Sequence, residues 1–145
     1  MMRDKFPIRI IRGDNPKSPF KATTVLDRVS DECGSVRQDL SLVERDYTAL
    51  VLTINHFAEA AKSDKRKDPR LYWRIGDEIV RFLSRIESIG FYLSRQNDTL
   101  ARDTGISKSS TKKILTFRRR FPKVSLVNPS IPWAHYRANK VALPE

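Results

Sequence analysis

Cysteine is nearly absent from this chain. The single Cys33 excludes an internal disulfide and any zinc site built on cysteines, and as a lone thiol it reads as a bystander, not a nucleophile. Histidine is almost as scarce: His56 and His135 are far apart, and no spacing ties either to carboxylates in a metal-ligand pattern. No metal or other cofactor is therefore expected. No apolar run approaches the roughly 18 residues of a membrane span, and the N-terminus has no apolar signal-peptide region. A soluble cytoplasmic protein is the expectation, and 145 residues suffice for one domain with a real core.

Catalytic groupings are missing as well. Asp77 and Glu78 are adjacent on a predicted helix, so their side chains point about 100° apart and cannot close on one metal as a pair. His135 beside Arg137 offers an acid, but no base or nucleophile accompanies it. The chain reads as a non-enzyme.

Acids are in deficit: 28 Lys and Arg stand against 17 Asp and Glu, a net charge of +11. The excess is not spread evenly. Residues 1–29 carry +4, 30–101 carry −1, 102–123 carry +7 and 124–145 carry +1. A solubilising surface disperses its charge, whereas a phosphate footprint concentrates it. The basic region lacks interleaved aromatics for stacking on unpaired bases, which weakens an RNA reading relative to a duplex one. If about four to six phosphates are neutralised, log K falls with log[salt] at a slope of about −4 to −5.

The basic segment has a pattern. Leu100 to Leu115 fits the twenty-residue frame of a helix-turn-helix, with Asn97 first, Ala101 fifth, Gly105 ninth and Ile114 eighteenth. Ala101 is small where two helices cross, and Gly105 supplies the positive φ of a tight turn. Leu100, Ile106, Ile114 and Phe117 are expected to face inward. Ser107 is placed to N-cap the second helix, and Pro122 stops it near Arg120. Thr104 and Thr111 fit less well, standing where aliphatic side chains are more frequent. Lys108, Ser109, Lys112 and Lys113, with Thr116 a turn further on, are expected on the exposed face, where Lys and Ser can reach base edges. Arg118, Arg119 and Arg120 are assigned to phosphates. The alternative is an ordinary αα-hairpin with a solvated basic face.

Residues 1–29 read as a basic arm containing Pro7, Pro16 and Pro19, with Phe6, Ile8 and Ile10 alternating as in a short strand. Arg3, Lys5, Arg9, Arg12, Lys17 and Lys21 are its candidate backbone contacts; a mobile tail or a partner-docking segment is the competing reading. Residues 30–145 form the second unit. There, Val36, Leu40, Val43, Tyr47, Leu50, Ile54, Phe57 and Ala61 alternate at four and three, which predicts one long amphipathic helix. Burial in the chain's own bundle is favoured over a coiled-coil seam, because Val51, Ala58 and Ala60 widen the stripe; its N-terminal half remains available to a second subunit. After the polar SDKRKDPR connection, whose Lys65, Arg66 and Lys67 read first as a solvated loop, Asp68 and Pro69 open a second helix. Gly76 inside that helix implies close packing, and Gly90 ends it. Val124 to Val127 are read as a short strand, and Trp133 to Arg137 as a helix closing over the core.

Taken in order, Tyr72-Trp73-Arg74-Ile75-Gly76, the Gly105 turn with its Ser107 helix, Phe117, Phe121-Pro122 and Ile131 to Arg137 (IPWAHYR) resemble a bacterial domain that precedes a PD-(D/E)XK nuclease. That family shows YW-x-IG, a helix-turn-helix and a WSHYR-like motif, so the resemblance implies a helical DNA-binding or assembly module. It covers roughly residues 54–137. Tyr72, Trp73, Gly76, Trp133, His135, Tyr136 and Arg137 match, with structural roles. The departure is that no Asp followed by (Asp/Glu)-x-Lys lies on a plausible strand, and the sequence stops at Glu145, where the nuclease would follow.

The expectation is thus an all-α helical bundle with a helix-turn-helix, a long N-terminal amphipathic helix and at most a short strand pair. Its expected partner is double-stranded DNA, bound by a homodimer acting as a small regulator or partition-like protein, nucleoid-associated when bound. A different class of role is a non-catalytic assembly or specificity subunit, delivering a separate nuclease or replication machinery through Val36 to Ala61.

Overall fold

The computed structural model describes residues 6–15, 18–24 and 34–143. The chain opens on strand β1 (Phe6–Asn15), which turns back into the antiparallel β2 (Ser18–Thr24) with Ile8 opposite Thr24 and Ile10 opposite Ala22. Alternation explains the strand: Ile8 and Ile10 are fully buried, while Arg9 and Ile11 face out. The described part of the expected arm is therefore an integral hairpin, not a tail. Of its candidate contacts, Arg3, Lys5 and Lys17 lie outside the described residues, as does Cys33.

Helix α1 (Gly34–Ser63) follows, then α2 (Pro69–Ser88). In α1 the stripe at Leu40, Val43, Tyr47, Leu50, Ile54 and Ala61 is buried, with Val36 and Phe57 partly so. It closes against α2 and β2 of its own chain. Tyr47 is central, meeting Phe20 edge-on with ring centroids 4.9 Å apart and Phe82 at 5.6 Å. The cap of α2 is as the sequence predicts: the Asp68 carboxylate accepts from Arg70 N at 2.9 Å, and Pro69 occupies the first turn.

Gly90, at φ +92°, reverses the chain into β3 (Phe91–Leu93). This strand pairs parallel to β1, Phe6 with Phe91 and Ile8 with Leu93, giving a sheet of order β2-β1-β3. The fold is mostly helical, but a three-stranded mixed sheet replaces the strand pair at most that the sequence suggested. Three residues of alternating burial carry too short a pattern to be recognised, and their partner lies at the other end of the domain.

Helices α3 (Gln96–Thr104) and α4 (Lys108–Arg120) are joined by Gly105, Ile106 and Ser107, with Gly105 at φ +75°. The predicted cap forms: Ser107 Oγ accepts from Ser110 N at 3.0 Å. The two awkward threonines have local roles. Thr104 Oγ1 donates to Leu100 O at 2.7 Å and accepts from Ile106 N at 3.2 Å, satisfying groups at the end of α3; Thr111 Oγ1 donates to Ser107 O at 2.9 Å. Leu100, Ile114 and Phe117 are buried and Ile106 partly so, as their spacing predicts.

Residues Val124–Leu126 form a turn of 3-10 helix and not the expected strand. Pro122 and Pro129 flank this stretch, and the described residues offer it no strand partner. Helix α5 (Trp133–Arg137) then folds back over α4 and α2, with Tyr136 accepting from Asn128 N at 2.8 Å. Among the described residues no helix is long and apolar enough to cross a membrane.

Candidate nucleic-acid interface

Two aspartates fasten the α3–α4 pair to the scaffold. At the end of α3, the fully buried carboxylate of Asp103 accepts from Tyr47 Oη at 2.5 Å and from Arg102 Nε at 2.8 Å, and pairs with Arg12 Nε at 3.4 Å. One group thus ties α3 to α1 and β1. Burial pushes its pKa up, but hydrogen bonds from Arg102 and Tyr47 outweigh that and hold the carboxyl below the usual range. Tyr47 shifts the other way, its hydroxyl driven far above a normal phenol, first by burial and then by the bond to Asp103. Arg12 is thus carried on a packed strand and paired with α3 rather than borne on a free arm, with 65% of its side chain still exposed.

The second aspartate sits on α2. Asp77 Oδ1 accepts from Arg118 Nε at 3.0 Å, and Oδ2 pairs with Arg81 Nε at 3.0 Å. The Arg118 guanidinium also lies over the Trp73 ring, 4.9 Å from its centroid, and its side chain is only 17% exposed. Gly76 makes this possible. A Cβ there would stand 2.7 Å from Arg118 Cβ and 3.1 Å from Ile114 O, so only glycine lets α4 approach α2 this closely. Trp73 Nε1 completes the join by donating to Phe121 O at 2.7 Å.

Arg118 was expected on phosphate; it faces the core instead. A signal for this was present in the helix period: Arg118 follows Thr111 by seven and Ile114 by four, both buried, and stands about 160° round the axis from Thr116. The run of three arginines concealed it.

The other expected contacts divide cleanly. Ser109, Lys112, Lys113, Thr116 and Arg119 are exposed and, with Arg120, fall within an arc of about 120° on α4. Ser107 is exposed but engaged as the cap. Lys108 pairs with Asp98 at 3.1 Å, both about half exposed, so its charge is locally offset. Arg120 donates to Asn139 Oδ1 and lies over the Phe121 ring. From the N-terminal hairpin, Arg9 and Lys21 are exposed; Arg9 borders a cleft with Arg95 and Arg102 beside α3.

The exposed face of α4 is bounded on one side by the C-terminal segment. Lys112, Lys113, Thr116 and Arg120 line a groove of about 230 Å³ opposite Arg137 and Asn139. Among the described residues, Lys112, Lys113, Arg119, Arg120 and Arg137 have no acidic partner at ion-pair distance. Arg137 escaped the sequence-based site assignment, although it stands one helical turn after Trp133. Set against protein-family models, curated proteins and solved structures, the chain matches none of them.

Proposed function

We propose that this protein binds double-stranded DNA and catalyses no reaction, with α3, the Gly105 turn and α4 working as a helix-turn-helix whose second helix enters the major groove. The observation that carries the reading is a cluster of unpaired charge. Lys112, Lys113 and Arg120 face Arg137 across a groove, and with Arg119 none of them has an acidic partner at ion-pair distance among the described residues, whereas Arg118 on the inner side of the helix is paired with Asp77. A helix face bearing unneutralised Lys and Arg beside small polar Ser109 and Thr116 suits the groove of a polyanion. Lys112 and Lys113 read bases, Arg119 and Arg120 hold phosphates, and Ser107 positions the helix. Arg118 has no part in contact.

A single unit of this size makes few base contacts, so the binding species is a homodimer on a two-fold site, in keeping with a small regulator or partition-like protein. The competing role is an assembly or specificity subunit that delivers a nuclease or replication machinery to DNA; with the apolar stripe of α1 packed on the chain's own α2 and β2, such a role would use another surface.

The test is a titration of labelled duplexes of varied sequence, single strand and RNA at two salt concentrations. Lys112→Ala is expected to flatten preference among duplexes, by about 1–3 kcal/mol at the affected base pair, while Arg119→Ala weakens all duplexes and reduces the salt slope by about one. Equal binding of all three polymers by parent and variants would sink the proposal.

A further inference from the structure

Two short stretches far apart in sequence, around Tyr72 and around Trp133, take no part in the base contacts of α4, yet the fold joins them. Their rings stack with centroids 4.4 Å apart and planes 8° from parallel, and Trp133 N donates to Lys67 O at 3.0 Å. The stack walls an open cleft of about 420 Å³ whose rim carries three cations, Lys67, Lys113 and Arg137. All three are exposed, and among the described residues none has an acidic partner at ion-pair distance. Asp64, whose charge reaches Tyr72, is committed elsewhere: its two oxygens accept from Arg66 N at 3.0 Å and Asp68 N at 2.7 Å.

We propose that this cleft is a second DNA-binding site, which takes the phosphodiester backbone flanking the groove entered by α4. The inference rests on the duplex-binding reading above. Lys113 lines both this cleft and the groove of Lys112 and Arg120, so the two basic surfaces are continuous and one strand can run from one into the other. Cations around an apolar wall suit alternating phosphate and deoxyribose. Trp133 itself offers no free ring face to an unstacked base, because it is only 9% exposed, covered by Tyr72 on one side and packed against Phe117 with centroids 5.1 Å apart. Lys67 and Arg137 at this site therefore set the register of the protein on DNA without reading sequence, while Lys113, at the shared edge, belongs to the base-reading set.

The experiment uses the full chain with Lys67→Gln, Arg137→Gln and the double substitution. Because Lys67 has a φ of 54°, Lys67→Asn serves as a second variant suited to that backbone. Binding is followed by fluorescence anisotropy across a salt series, on a long duplex and on duplexes trimmed stepwise from each end, with thermal unfolding as the check on folding. Each single substitution is expected to lower the salt slope by about 0.9 and to weaken preferred and non-preferred sequences alike; for Lys67, which lines only this cleft, the deficit disappears once the flank is trimmed away, whereas Arg137, which also borders the α4 groove, keeps part of its effect. Parent binding with a slope that neither Lys67 variant alters overturns the cleft and leaves the α4 reading standing. A parent that binds no duplex overturns both. Inorganic phosphate titrated alone separates the sources: saturable binding abolished by Arg137→Gln, with an unchanged DNA slope, assigns the cleft to a small anion and overturns the proposal.

Discussion

The inner and outer faces of α4 carry the same residue types and use them differently. On the inner side Arg118 is desolvated, bonded to Asp77 and laid over Trp73; one residue later Arg119 is exposed and has no acidic partner among the described residues. A buried cation needs a counter-charge, because its removal from water costs several kcal/mol unless it is paired and hydrogen-bonded. An exposed cation needs none, and pairing it would only lessen its attraction for a polyanion. The positions of the acids, more than those of the cations, therefore separate the part of the helix that builds the fold from the part available to a partner.

The sharpest way to break this contrast is to remove an inner acid. Asp103→Ala leaves Tyr47 Oη only the long 3.4 Å bond to Thr99 O and takes the counter-charge from Arg102, so a loss of about 3 kcal/mol is expected in denaturant unfolding. The same carboxylate gives a pH signature. Its folded pKa lies below the unfolded value of about 3.9, so its stabilisation is complete above that value and is lost as pH falls through the folded pKa. Asp103→Ala should therefore show a shallower fall in stability below about pH 4 than the parent.

Next in size is the pair Arg118→Ala and Arg119→Ala. The first is expected to cost about 2 kcal/mol through lost packing and the loss of one of the two partners of Asp77, with no change in the DNA salt slope. The second should leave the unfolding midpoint within about 0.5 kcal/mol and lower the slope. Exchange of these outcomes would reverse the assignment of the two faces. Gly76→Ala probes what the inner face requires, and overpacking against Arg118 and Ile114 is expected to cost about 1–3 kcal/mol by the same measurement. The smallest effect belongs to Asp98→Ala. Its pair with Lys108 is half exposed, so stability should change by under about 1 kcal/mol, while freeing Lys108 raises duplex affinity a few-fold in anisotropy.

Much of the helical part was legible because its signals are local. The four-and-three spacing of α1, the Asp68-Pro69 start of α2, the Ser107 cap and the Pro122 stop each lie within a few residues of what they determine. The sheet was legible only in part: the alternation of Phe6, Ile8 and Ile10 marks β1, but Pro7 within it and Pro16 after it obscure its extent, and β3 offers only Phe91, Tyr92 and Leu93. Its pairing is decided between residues at opposite ends of the domain. The exposed arc of α4 could be read from helical spacing, but the destinations of Arg12 and Arg118 depended on acids brought up by tertiary folding. Lys67 and Arg137 are distant in sequence from each other and from α4, and only the Tyr72–Trp133 stack brings them to one cleft.

The parallel pairing of β1 with β3 also orders events in time. Strand β1 precedes the other two strands in the chain and lies in the middle of the sheet, yet one of its edges has no partner until Phe91–Leu93 exists, two helices later. Ser94 N then donates to Ile8 O, and Arg102 donates to Ile10 O in the turns that follow. Closing so long a loop is slow relative to forming α1 or α2 alone. A nascent chain must therefore hold β1 half-paired until Leu93 has emerged. Only then can α3 and α4 settle against it, so the basic face is assembled late, on a platform that β3 has just completed.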